Sequence, residues 1–121
     1  MRIEKFEDIE AWQLARNLTF TVYKLTKKPL FSKDYGLKDQ IQKAAGSSMH
    51  NIAEGFDSES NPDFIRFLRY AKRSCTEVQS ELYIALDQMF FNRSLARIDP
   101  GDQLCSMQGQ DMGRFREIPV V

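Results

Sequence analysis

Apolar residues recur along the chain at alternating spacings of three and four, which is the period of an amphipathic helix. The first apolar seam comprises Ala11, Ala15, Leu18, Val22 and Leu25. Acidic residues precede this seam and lysines follow it, which is the charge order that a helix dipole favours. The pattern predicts a first helix over residues 8–28, ended by Pro29.

A second seam predicts a helix over residues 35–54, with Asp34 offering a capping side chain before it. Its inward positions are Leu37, Ile41, Ala44, Ser48 and Ile52. Gly55 is placed to end the helix as the residue after its C-cap. The middle of the helix, residues 44–48, contains only Ala, Gly and Ser, so a neighbouring helix can approach its backbone closely.

The third and longest seam predicts a helix over residues 62–92. Asn61 is predicted as its N-cap and Pro62 as its first residue. The seam comprises Phe64, Leu68, Ala71, Cys75, Val78, Leu82, Ala85 and Met89. More than three heptads of seam indicate long antiparallel packing against neighbouring helices.

The pattern weakens after Asn92, where Asp99-Pro100-Gly101 interrupts it. It predicts an irregular fourth helix over residues 102–116, in which Gly109 and Gly113 each cost about 1 kcal/mol relative to alanine. Residues 117–121 are predicted to be a tail. No alternating strand pattern occurs, so the 121 residues are predicted to form a single all-α domain, an up-and-down four-helix bundle with a fourth helix that is irregular or short.

The composition also indicates the cellular compartment of the protein. No stretch of 18 apolar residues occurs, so we expect no membrane-spanning helix, and the charged N-terminus does not fit a signal peptide. Cys75 and Cys105 match no redox or zinc motif, which indicates a reduced, cytoplasmic protein. Seventeen basic and seventeen acidic residues cancel, so any affinity for polyanions requires charges segregated on the surface.

Such segregation occurs between residues 66 and 73, which hold four basic residues and no acid. Arg66, Arg69 and Arg73 are predicted to face away from the core, Lys72 flanks them, and Lys43 is predicted to lie level with Arg73. One interpretation is an ordinary solvated helix face. The other is a patch that binds nucleic-acid phosphates.

Large apolar residues are also predicted on outward positions. They are Phe20, Tyr83, Ile84, Phe90 and Phe91. Monomeric proteins seldom expose so many large apolar groups in one region. Either the fourth segment covers them or they form an interface for self-association.

Catalytic and metal-binding motifs are missing, including Gly-rich phosphate loops, nucleophile elbows and His-Glu-x-x-His. His50 and Glu54 lie four residues apart and supply only half a metal site. Glu77 and Glu81 have the same spacing and are predicted to be a solvated pair. We therefore expect no enzyme activity, no bound metal and no cofactor.

Several short motifs of the chain resemble one family. They are Phe6-Glu7-Asp8-Ile9, Trp12-Gln13, Tyr35-Gly36-Leu37, Gln40-Ile41, Lys43-Ala44-Ala45, Asn51-Ile52-Ala53-Glu54-Gly55 and Phe67-Leu68. Over roughly residues 5–91 this set resembles the four-helix-bundle proteins encoded in intervening sequences of large-subunit ribosomal RNA genes. Within the motif, Asn51, Glu54 and Gly55 are interpreted as structural residues that fix the end of the second helix.

The resemblance implies a small cytosolic bundle that assembles as a ring-like homopentamer. Relatives include the accessory protein of diversity-generating retroelements, which binds nucleic acid and a reverse transcriptase; most members have no established activity. Two functions stay open for this chain. One is a nucleic-acid-binding accessory protein, and the other is a structural or adaptor oligomer that binds a protein partner and no RNA or DNA.

Overall fold

A computed structural model describes residues 3–91, which fold entirely into helices and their connections. A 3-10 turn at Phe6–Asp8 precedes α1 (Glu10–Thr26), α2 (Pro29–Lys33), α3 (Tyr35–Asp57) and α4 (Asn61–Asp87). The three long helices run up, down and up, and α3 packs against both α1 and α4. The predicted all-α bundle class is confirmed. The predicted fourth helix, 102–116, and tail, 117–121, lie outside the described residues.

Helix α1 begins and ends two residues inside the predicted bounds, and its buried face differs at one position. Thr26 is 2% exposed, whereas Leu25 of the predicted seam is only half-buried. The Thr26 hydroxyl donates to the Tyr23 carbonyl oxygen at 3.0 Å and accepts from the Gln42 amide at 3.0 Å. Its polar group can be buried because both bonds satisfy it.

The connection from α1 to α3, which the sequence indicated only as a loop, contains the short helix α2. Its Phe31 is fully buried, and the ring lies 5.3 Å from the ring of Phe90. The Asp34 carboxylate then accepts a hydrogen bond from the Leu37 backbone N–H at 3.1 Å, so Asp34 caps α3.

Gly55 does not end α3, which continues to Asp57, so the predicted C-cap role is wrong. Its φ is not positive, and the residue is buried in the interface with α4. A Cβ atom at Gly55 would lie 2.6 Å from the Cβ of Phe67 and 3.2 Å from Cδ2 of Phe64. The glycine is therefore required for the close approach of the two helices.

Helix α4 begins one residue earlier than predicted and ends five residues earlier. Ser60 is its N-cap, and the Ser60 hydroxyl accepts from the Asp63 N–H at 3.5 Å. Glu81 takes the buried position predicted for Leu82, which is half-buried, and Met89 lies beyond the helix with 82% of its surface exposed. Residues three and four positions after Val78 both lie near the same helix face, so the apolar pattern does not select between Glu81 and Leu82.

The core fills the space between the three long helices. None of the described helices is long and apolar enough to cross a membrane. Close contact depends on small residues in α3. The Thr19 hydroxyl of α1 lies 2.8 Å from the Ala15 carbonyl oxygen and 3.1 Å from that of Ala45. The small-residue segment 44–48 thus lets α1 reach the backbone of α3, as its composition predicts.

Candidate nucleic-acid interface

Three arginines line the exposed side of α4, and we call them the arginine ridge: Arg66, Arg69 and Arg73. All three are exposed, and together with Tyr70 they lie within an arc of about 100° at the 3.6-residue repeat of the helix. Seven residues separate the ends of the ridge, which makes it about 10 Å long. The structure places all three arginines away from the core, as the helical spacing predicts.

Most of this positive charge has no ion-pair partner. Arg66 pairs with Asp63, with 3.3 Å between guanidinium nitrogen and carboxylate oxygen. Within residues 3–91, Arg69, Lys72 and Arg73 make no ion pair. The half-buried Lys72 lies on the flank of α4 away from Tyr70. The ridge therefore presents positive charge that an external anion can contact.

Two aromatic rings lie among the arginines, and the sequence interpretation missed both. The Arg66 guanidinium lies 5.3 Å from the centroid of the Phe67 ring, and that of Arg73 lies 5.9 Å from the Tyr70 centroid. The two rings meet edge to face at 5.8 Å and 83°. The order Arg-Phe-Leu-Arg-Tyr over residues 66–70 is the signal that could have shown them.

Lys43 does not join the ridge, which corrects the prediction that it lies level with Arg73. The Ser47 and Ser74 hydroxyls are 3.1 Å apart, and this contact sets the register between α3 and α4. Since the helices are antiparallel, Lys43 lies level with about residue 78. Its ammonium is 3.0 Å from the Asp39 carboxylate, so Lys43 has an ion-pair partner within α3 itself.

A chain of hydrogen bonds connects α3 to α4 beside the ridge. The Asn51 amide donates to the Ser47 carbonyl oxygen at 2.8 Å and to the Ser47 hydroxyl at 3.0 Å. The Ser74 hydroxyl lies 3.1 Å from both the Ser47 hydroxyl and the Tyr70 carbonyl oxygen. Asn51 thus has a structural role, but inside α3 and not at its end.

A polar groove of about 540 Å³ runs along the outer face of α3. The lining residues include Tyr23, Lys43, Gly46, Ser47, His50 and Glu54. Within residues 3–91, no three His, Cys, Asp or Glu side chains are grouped so that they could hold a metal ion. His50 and Glu54 accordingly remain a pair of groove residues with no further metal ligand beside them.

Glu81 and Glu77 do not form the solvated pair that the sequence indicates, because Glu81 is 6% exposed. Burial, the charge of Glu77 and a hydrogen bond with Glu77 together raise the pKa of Glu81 from 4.5 to about 7, and burial contributes most. Oε2 of Glu81 has no hydrogen-bond partner within the described chain. This carboxyl group belongs neither to the ridge nor to the residues that line the groove.

Comparison with known proteins supports one assignment. A family model described as 23S rRNA-intervening sequence protein matches residues 7–98. The chain belongs to this family. No curated protein matches it significantly. The matched range includes the arginine ridge and the Asn51–Gly55 motif.

Of the five residues in the predicted self-association interface, three are exposed in the structure. Phe20, Tyr83 and Ile84 are 67%, 60% and 48% exposed. Phe91, by contrast, is 7% exposed, and Phe90 is half-buried against the core. The prediction that these two phenylalanines face outward is wrong because α4 ends at Asp87 and the chain turns back, bringing Phe90 onto Phe31.

Proposed function

We propose that this protein is a non-enzymatic, self-associating helical-bundle protein of the cytoplasm that binds nucleic acid through its arginine ridge. The observation that carries the proposal is the row of exposed arginines on one face of α4, of which only Arg66 has an ion-pair partner in the described chain. Guanidinium groups form paired hydrogen bonds with phosphate oxygens, so such a row suits a phosphate backbone.

Binding of this kind is independent of sequence. Phosphate contacts fix the register of a protein on nucleic acid, whereas base-edge contacts in the grooves specify sequence. The ridge offers cations along about 10 Å of one helix. Since the net charge of the chain is zero, the attraction is local to this face and does not come from the protein as a whole.

The test is charge reversal of the ridge. Labelled RNA and DNA oligonucleotides are titrated at several salt concentrations and binding is followed by fluorescence anisotropy. The wild-type affinity should fall with salt, with a log–log slope near −0.7 to −0.9 for each contacted phosphate. The triple variant Arg66→Glu, Arg69→Glu, Arg73→Glu should bind at least about tenfold more weakly and with a shallower slope.

A matched control reverses three exposed lysines elsewhere: Lys5→Glu, Lys27→Glu and Lys33→Glu. It changes the net charge equally but leaves the ridge intact, so binding should stay close to wild type. Salt-independent binding, or equal losses in the two triple variants, would contradict the proposal. A metal or cofactor that copurifies in stoichiometric amount would contradict its non-enzymatic part.

Exposed apolar side chains favour a second candidate, an adaptor oligomer that binds a protein partner and no nucleic acid. Phe20, Tyr83 and Ile84 keep about half or more of their surface exposed in a single copy. A second copy or a partner that covers them gains the free energy of apolar burial. This candidate predicts no retention of RNA or DNA even at low salt.

A further inference from the structure

We infer that Tyr70 is a base-stacking platform, which makes the arginine ridge a site for single-stranded nucleic acid. The inference rests on the proposed function and adds the form of nucleic acid that the site selects. Tyr70 lies within the same arc of α4 as the three arginines. Its side chain keeps 37% of its surface exposed although its neighbours on the helix pack around it.

The Tyr70 ring is held in a defined environment. The Phe67 ring meets it edge to face at 5.8 Å, and the Arg73 guanidinium lies 5.9 Å from its centroid. An aromatic ring beside a cation is the combination that single-strand-binding proteins use, since every base has a π-face and a phosphate nearby. Tyr70 supplies the aromatic ring for the base and Arg73 supplies the cation for the phosphate, from one turn of the same helix.

The backbone beneath the ring is fixed as well. The Tyr70 carbonyl oxygen lies 3.1 Å from the Ser74 hydroxyl, which also contacts Ser47 of α3. Tyr70 is therefore presented from a continuous helix anchored to its neighbour, with no loop to order on binding. A rigid platform loses little conformational entropy when a base stacks on it.

A duplex cannot use this platform. Its bases are stacked on one another inside the helix, so their π-faces are covered and Tyr70 cannot stack on them. The bases of a single strand are free to unstack and to contact aromatic side chains. The ridge should therefore bind both forms through arginine, and only the single strand should gain from Tyr70.

The experiment compares a labelled oligothymidine with a DNA duplex of the same length. Tyr70→Ala should weaken single-strand binding by about 5- to 150-fold, the range for the loss of one stacked base. Duplex binding and the salt slope should stay unchanged, because the arginine contacts with phosphate remain. Tyr70→Phe should bind like wild type, and Tyr70→Leu, which keeps an apolar side chain without a π-face, should behave like Tyr70→Ala.

Tyr35→Ala is the matched control. Tyr35 is 73% exposed and has the Lys38 ammonium 5.4 Å from its ring centroid, but it lies on α3 outside the ridge. Its removal should not change binding. Wild-type affinity in Tyr70→Leu, or equal losses on single strand and duplex in Tyr70→Ala, overturns the inference and leaves the proposed function standing. If wild type binds neither oligonucleotide at low salt, both fail.

Discussion

The buried carboxyl of Glu81 connects the stability of the bundle to pH. Its pKa lies at about 7 in the folded protein, against an ordinary value of 4.5, chiefly because burial disfavours the charged form. Well below pH 4.5 the group is neutral in both states. As pH rises from there to about 7, the unfolded chain loses this proton before the folded one, so the free energy of unfolding falls.

Glu81→Gln should therefore stabilise the protein most at alkaline pH. Above about pH 7 the gain should be on the order of 2 kcal/mol, after allowance for solvent screening, and near pH 5 it should be much smaller. Urea unfolding at the two pH values measures the difference. Glu54→Gln, at an exposed carboxylate, is the control and should show no such dependence. Equal effects of Glu81→Gln at both pH values would contradict the raised pKa of Glu81.

Glu81 also shows what residue patterns cannot reveal. Carboxylates four residues apart usually mark a solvated helix face, and only the packing around the end of α4 places Glu81 inside. Tyr70 is a similar case, because its role depends on the ring and guanidinium geometry on α4. The three exposed arginines, in contrast, could be placed from helical spacing alone.

At the level of elements, the contact between α3 and α4 depends on Gly55. Gly55→Ala should destabilise the protein by about 1–3 kcal/mol, because the new methyl group would overlap the side chains of Phe67 and Phe64. Gly46→Ala is the matched variant in the same helix. Its Cβ would meet only the His50 ring at 3.7 Å, so it should stabilise by about 0.5–1 kcal/mol.

Thermal and urea unfolding of the two alanine variants measure the contrast. Their opposite signs are the essential outcome, since both substitutions raise helix propensity equally. If Gly55→Ala were as stable as wild type, α3 and α4 could not approach as closely as described.

The long helices can be predicted from the sequence because each seam has five to eight inward positions, which average out single exceptions. Short elements and helix boundaries cannot be predicted from the apolar pattern in this way. Helix α2 has five residues, too few for a period, and its start at Pro29 resembles the end of α1. The N-cap of α4 shifted from Asn61 to Ser60 because both residue types can cap a helix and only the backbone conformation selects between them.

On the scale of the whole molecule, both candidate functions require self-association. Family resemblance leads us to expect a pentamer, with a mass five times the 14.1 kDa of one chain. Phe20→Glu and Ile84→Glu should each shift the protein toward monomer, because a buried interface disfavours an unpaired charge. Light scattering measures the mass.

Leu30→Glu is the control for this experiment. Leu30 is 58% exposed, lies on α2 and is not a residue of the proposed interface, so its substitution should leave the mass unchanged. A wild-type protein that stays monomeric at micromolar concentration would contradict self-association in both candidate functions.

The short length of the arginine ridge sets a limit on what one copy can do. Asp63 and the exposed Glu77 stand at its two ends, so a strand following α4 meets negative charge on either side. One chain can then engage only a few phosphates and should release its ligand quickly. Tight, long-lived binding would come from avidity, with several ridges on one assembly holding the same strand and each raising the local concentration of the next segment.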